Sequence, residues 1–191
     1  GKIIGEGYEK TLNEVKAAQK LIRYNSRDDL EKADLFEAAV MIIEAMLRLV
    51  DRYSALAADM AAKESDPTRK SELLQISEIC HNVPRNGAKT FREAIQAFFF
   101  YWVYTTGGAT PGGRFDQYMY PYYKADLESG RITREEALEL IECLRVKIMS
   151  FNTVFGGKQQ QEKWAGMARW HNFVLGGCDI DGNDGTNDIS Y

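Results

Sequence analysis

No glycine occurs between Tyr8 and Asn86, whereas twelve of the sixteen in the chain lie beyond Tyr104. Glycine weakens a helix interior by roughly 0.5–1 kcal/mol relative to alanine. The first part is therefore free to be continuous helix, and the second must alternate helices with glycine turns. The densest cluster places four glycines and a proline in "GGATPGG", Gly107–Gly113, between the aromatic runs "FFFYWVY" and "FDQYMYPYY". So much backbone freedom between two apolar stretches lets main chain approach a ligand or another backbone closely.

Periodicity fills in the first part. Leu12, Val15, Leu21 and Ile22 give Tyr8 to Tyr24 helical spacing. From Asp28, positions Leu35, Ala38, Ala39, Ile42, Ile43, Met46, Leu47, Val50 and Tyr53 recur every three or four residues, predicting a helix that can run to Glu64. Asp66 is placed to cap the next helix, with Pro67 at its first position, where a missing N–H does no harm. That helix runs from Thr68 to about Ile79. Thr90 and Glu93 form a capping box opening Phe91 to Tyr104, which is apolar all round from Ala97 and so expected to be buried. Thr133 and Glu136 repeat the pattern and open a helix to about Ser150. His171–Gly177 reads as a short strand and "DIDGNDG" as a tight turn.

The 191 residues suffice for a real core, and 45% hydrophobic with 27% charged residues fits a globular protein. A net charge of −4 carries no basic footprint for nucleic acid. No apolar run reaches the roughly 18 residues of a membrane span, and no signal peptide opens the chain. Three scattered cysteines are no disulfide framework and fit a reducing cytoplasm.

Chemical motifs are sparse. Neither "GGATPGG" nor "GGKQQ" has the spacing of a phosphate loop. Counted from Asp179, the sixth residue is Asp184 and the twelfth Ser190, which fails the calcium-loop pattern. His81 and His171 share no metal-ligand spacing, so no metal site is expected. Cys80 and Cys143 lie on amphipathic helices and read as core, while Cys178 sits at an exposed-looking strand end.

Three stretches carry a resemblance. "ICHNVPRNGAKTFREAIQAFFFYW", "PGGRFDQYMYPYYKADLESGRITREEALELIECLRVK" and "WHNFVLGGCDIDGNDGTNDISY" resemble the glycyl radical enzymes of the pyruvate formate-lyase-like family, and the likeness spans essentially the whole chain. It implies a mainly α segment with a few short strands, part of a ten-stranded α/β barrel. Residues 1–104 would be outer helices and 105–191 the first barrel loops, helix and strand. It also implies a glycyl radical installed by an activating enzyme with an iron–sulfur cluster and S-adenosylmethionine. A cysteine thiyl radical would then abstract hydrogen from a small-molecule substrate. Homo-oligomers are expected of the full-length protein.

The family's cysteine loop and radical motif are not in the chain, so it is expected to be an N-terminal-half fragment, inactive alone, holding no catalytic residue and no bound cofactor. By motif, Gly108, Ala109 and Thr110 correspond to the pocket segment before the Gly113-Arg114 pair. Trp170 corresponds to an indole near the reactive cysteines, and His171 could approach a carboxylate. Arg114 and Asp116 belong to the structural frame. Dehydratase members tend to carry His-Ser where this chain has Gly108-Ala109. The small wall facing an indole suits a flat ring, so the best match is an arylacetate decarboxylase, cleaving a C–C bond. A radical diol dehydratase or C–N lyase is the alternative within the family, and a non-catalytic helical binding module is the alternative outside it.

Overall fold

The computed structural model of the chain describes residues 1–105, 112–150, 158, 162 and 172–191. They form two compact units, Gly1–Ala88 and Lys89–Tyr191. The boundary falls ahead of the aromatic helix, which groups with the glycine-rich part.

The first unit is three helices, α1 (Lys2–Gln19), α2 (Arg27–Lys63) and α3 (Pro67–Asn82), with α2 packed against both others. The cap expected from sequence at Asp66 forms, accepting from Thr68 N–H with Pro67 at the first position, and α2 is capped by Ser26, whose Oγ accepts from Asp29 N–H and which the sequence reading did not name. Helix α1 begins and ends earlier than its periodicity suggests, and it is broken at Gly7. Gly7 has φ +78°, and a Cβ there would collide with the Arg85 main chain. The break frees the Tyr8 and Glu9 N–H groups, which donate to the Pro84 and Arg85 carbonyls at 2.8 and 3.0 Å. Helices α2 and α3 are locked by reciprocal bonds: Ser54 Oγ donates to the Ser77 carbonyl and Ser77 Oγ to that of Ser54, at 2.8 and 2.9 Å.

The long apolar series on α2 divides. Ile43, Leu47 and Val50 are buried, whereas Leu35, Ile42 and Tyr53 are exposed. One face of a 3.6-residue helix cannot take in so wide a stripe.

The second unit holds α4 (Phe91–Tyr104), β1 (Gly113–Arg114), α5 (Phe115–Glu128), α6 (Arg134–Ser150), β2 (Phe173–Val174) and a 3-10 turn, Asp188–Ser190. Both capping boxes form as the sequence predicts. Helix α5 has no counterpart among the helices read from periodicity, because Pro121 and four tyrosines disguise it. Phe115, Met119 and Tyr123 are nonetheless buried at i, i+4 and i+8, one helical face. Asp126, 2% exposed, ties α5 to its neighbours by accepting from Phe91 N–H at 2.7 Å and pairing with Arg131. Cys80 is buried as expected, but Cys143 is exposed. The buried stripe of α6 is Ala137, Leu144 and Ile148, and a residue beside Leu144 lies about 100° off it.

The strands pair in parallel, Gly113 with Phe173 and Arg114 with Val174, joined through α5 and α6. Of the strand expected over His171–Gly177, His171 lies outside the described residues, and among the others the ladder is Phe173–Val174, since among the described residues only β1 offers a partner. One face of the pair is partly covered by aromatics. The Phe173 ring stacks on Trp102 (6.0 Å, 2°) and meets Phe115 edge-on (5.2 Å, 87°) and Phe98 at 5.8 Å. Aromatic pairs of this kind add about 0.5–1.5 kcal/mol each beyond burial.

Candidate functional site

Gly108, Ala109, Thr110, Trp170 and His171 all lie outside the described residues. Their described neighbours Gly112 and Asn172 meet each other. Gly112 N–H donates to the Asn172 carbonyl at 2.8 Å, so the described parts of the two strands begin side by side. Close packing fixes that arrangement. A Cβ on Gly112 would lie 2.6 Å from the Phe173 ring, and Tyr118 hydroxyl donates to the Gly112 carbonyl at 2.5 Å. Burial pushes the Tyr118 phenol well above its ordinary range, helped by Tyr101 and Asp116, so it stays a neutral donor.

The opposite end is a polar clamp built by "GRFDQ". Arg114 Nη2 donates to the Gly176 carbonyl at 3.1 Å, and Gln117 Nε2 to that of Gly185 at 2.5 Å. Asp116 is fully buried. Its Oδ2 accepts from Gly176 N–H at 2.6 Å and Ser190 Oγ at 2.5 Å. Burial alone would raise its pKa. The bonds from Ser190 and Gly176, with a weaker contribution from Gln117, outweigh that and hold the carboxyl below its usual range. The three side chains thus grip a turn whose own bonds are local. Cys178 bridges Asp184, Asp179 N–H donates to the Asn183 carbonyl at 2.9 Å, and Gly182 takes φ +84°. The tight turn read from "DIDGNDG" is therefore present, and Arg114 and Asp116 act as frame. Gln117, Asn187 and Ser190 also belong to the frame, and sequence reasoning missed them.

A cavity of about 830 Å³ opens beside β2, lined by α6 residues Leu138, Ile141 and Leu144 and by Phe173 and Leu175. Arg145 on its wall lies over the Phe173 ring at 4.7 Å. Among the described residues no group of three or more His, Cys, Asp or Glu is arranged to hold a metal ion, and no helix is long and apolar enough to cross a membrane.

Known proteins match this arrangement. The family model described as pyruvate formate lyase-like matches residues 1–191. Isethionate sulfite-lyase of Nitratidesulfovibrio vulgaris is 38% identical over 199 aligned residues, covering 100% of this chain and 24% of that protein. The glycerol-bound B12-independent glycerol dehydratase from Clostridium butyricum superposes with a TM-score of 0.88 at 34% identity, over 100% of this chain and 24% of that one. The 4-hydroxyphenylacetate decarboxylase glycyl radical subunit of Clostridioides difficile is 27% identical, over 96% of this chain and 21% of that subunit. The chain thus spans about a quarter of the length of the relatives it matches. Its solved relatives are glycyl radical enzymes, whose fold is a ten-stranded barrel. With a family model matched from end to end and the two-stranded, helix-backed arrangement superposing on solved members, the chain belongs to the pyruvate formate lyase-like family of glycyl radical enzymes.

Proposed function

We propose that the protein containing this chain is a radical lyase that expels a leaving group from the carbon next to a hydroxyl-bearing carbon. The observation that carries this reading is the 38% identity to an isethionate sulfite-lyase along the whole chain, against 27% to the decarboxylase subunit. The 34% match to a glycerol dehydratase points to the same chemistry with a different leaving group. In balanced form, 2-hydroxyethanesulfonate becomes acetaldehyde and hydrogen sulfite, and a vicinal diol becomes an aldehyde and water.

A glycyl radical, installed by an S-adenosylmethionine/iron–sulfur activating enzyme, supplies the hydrogen abstraction through a cysteine. The reacting groups belong to the rest of the polypeptide, so the chain alone is inactive, and the working enzyme is an oligomer in an anaerobic cytoplasm. This chain supplies wall and frame. Gly108, Ala109 and Thr110 line the pocket with little bulk, Trp170 and His171 face the substrate, and the Arg114–Asp116–Gln117 clamp holds the β2 segment in place.

Arylacetate decarboxylation is the second reading, favoured by Gly108-Ala109 where dehydratases tend to carry polar residues. The test is anaerobic activation of the full-length protein, followed by separate supply of isethionate, 1,2-propanediol and 4-hydroxyphenylacetate. Sulfite or aldehyde release supports elimination. Carbon dioxide from the arylacetate alone overturns it.

A further inference from the structure

Helix α2 carries a second apolar face that α1 and α3 leave exposed. Ile43, Leu47, Val50, Ala57 and Ala61 are buried, on the side where α2 packs against those helices. Leu35, Ile42, Leu56 and Met60 remain 64%, 55%, 53% and 47% exposed. Leu35, Ile42, Leu49 and Leu56 recur every seven residues, and Ala39, Met46, Tyr53 and Met60 each follow four residues later. That is an unbroken heptad series, the seam along which one helix packs its side chains into the spaces of another. Ala38, Ala45 and Ala55 beside the seam are exposed and small, so a second helix can come close. The next heptad positions outward are Lys32 and Lys63, so the seam has charged ends. From Leu35 to Met60 it spans about 37 Å at 1.5 Å per residue.

A helix apolar on two faces belongs in an interior, and a stripe of this length is uncommon on a finished surface. About three quarters of a polypeptide of the relatives' length lies outside residues 1–191, which leaves ample chain to cover it. A second copy of α2 fits worse. Laid antiparallel with the seams in full overlap, Leu35 meets Met60 of the copy, and Lys32 meets Lys63 at both ends. Laid parallel, each lysine meets itself. Either way like charges oppose at both ends, which disfavours the pairing. The surface pairs of Lys32 with Asp28 and of Lys63 with Asp59 contribute little, so both ammonium groups can still recruit a carboxylate from a covering helix.

We infer that the Leu35–Met60 seam is covered, in the whole protein, by one helix of the same polypeptide from outside residues 1–191. That helix is about as long as the seam and acidic where it meets Lys32 and Lys63. The test uses the full-length protein. Carbodiimide joins a lysine amine to a carboxylate that touches it. In the wild type, Lys32 and Lys63 should each couple to an Asp or Glu of one segment outside residues 1–191, the two sites about thirty positions apart. In oligomers assembled from unlabelled and nitrogen-15-labelled chains, each coupled pair should come from a single chain. Ile42→Cys and Leu56→Cys should be alkylated at least about tenfold more slowly in the native than in the denatured protein, at every protein concentration. Coupling between chains, or protection lost on dilution, overturns the inference in favour of a second copy. Native alkylation close to the denatured rate overturns it in favour of a solvent-facing stripe. Lysines that couple only to Asp28 and Asp59, or to two unrelated segments, overturn the single acidic-ended helix. The coupling pattern is read on the wild type, so it decides the matter even where a cysteine variant misfolds.

Discussion

Removing the Asp116 carboxylate should release the Gly176–Ser190 turn while leaving the helices of the second unit in place. Oδ2 of Asp116 takes two donors, Gly176 N–H at 2.6 Å and Ser190 Oγ at 2.5 Å, in a fully buried position. Hydrogen bonds to a charged group contribute about 1.5–3 kcal/mol each, and a donor left buried without an acceptor costs a similar amount. Ser190 Oγ keeps one partner in Asn187 N–H at 3.1 Å, and the turn can open toward water, so the loss in Asp116→Ala falls near the lower sum, about 3 kcal/mol. At about 1.4 kcal/mol per factor of ten, hydrogen exchange of the Gly176 amide should speed up by roughly a hundredfold. Asp116→Asn should be milder. Its amide oxygen can replace Oδ2, and its NH2 would occupy the position of Oδ1, which no hydrogen bond of normal geometry reaches among the described residues. The sign with pH is fixed by the depressed pKa: the protection is fully present above the ordinary carboxylate value of about 3.9 and is lost as pH falls through the lower folded value. Exchange of peptides covering 172–191, corrected for intrinsic rate, should show an acid-side loss in wild type that is absent in Asp116→Asn. Gly176 exchange within threefold of wild type in Asp116→Ala would refute the clamp.

Gly7→Ala places a side chain at φ +78° against the Arg85 carbonyl and should destabilise the first unit by about 2 kcal/mol or more, read as a lower thermal midpoint by circular dichroism. Thr90→Ala removes the side-chain half of the α4 capping box and should cost about 1 kcal/mol in chemical denaturation, with no change in thiol reactivity. Burial pushes the Cys80 thiol up to about 11, so at pH 8 roughly one part in a thousand is thiolate. Exposed Cys143 and Cys178 should therefore be alkylated in the native protein, and Cys80 only on unfolding, as resolved by peptide mass spectrometry.

Helix ends were the most legible part of the fold because their chemistry is local. Thr90 with Glu93 and Thr133 with Glu136 each satisfy main-chain N–H groups within three residues, so sequence alone sets where α4 and α6 begin. Helix α5 was hidden because propensity and packing disagree there. Pro121 removes one main-chain donor, and tyrosine is an indifferent helix former. Burial of Phe115, Met119 and Tyr123 along one face overrides both. The same limit explains Cys143: apolar spacing identifies a helix and not which side of it meets a neighbour.

The candidate site shows the complementary limit. The frame role of Arg114 and Asp116 was legible from the resemblance, but not that their partners are glycines, whose bare main chain alone can come so close; a Cβ on Gly185 would lie 3.1 Å from the Gly177 carbonyl and 3.2 Å from both Arg114 and Gln117. Which glycines they would be was not legible. Gln117 reaches Gly185 across 68 residues and Ser190 reaches Asp116 across 74, and nothing in local spacing encodes either pairing.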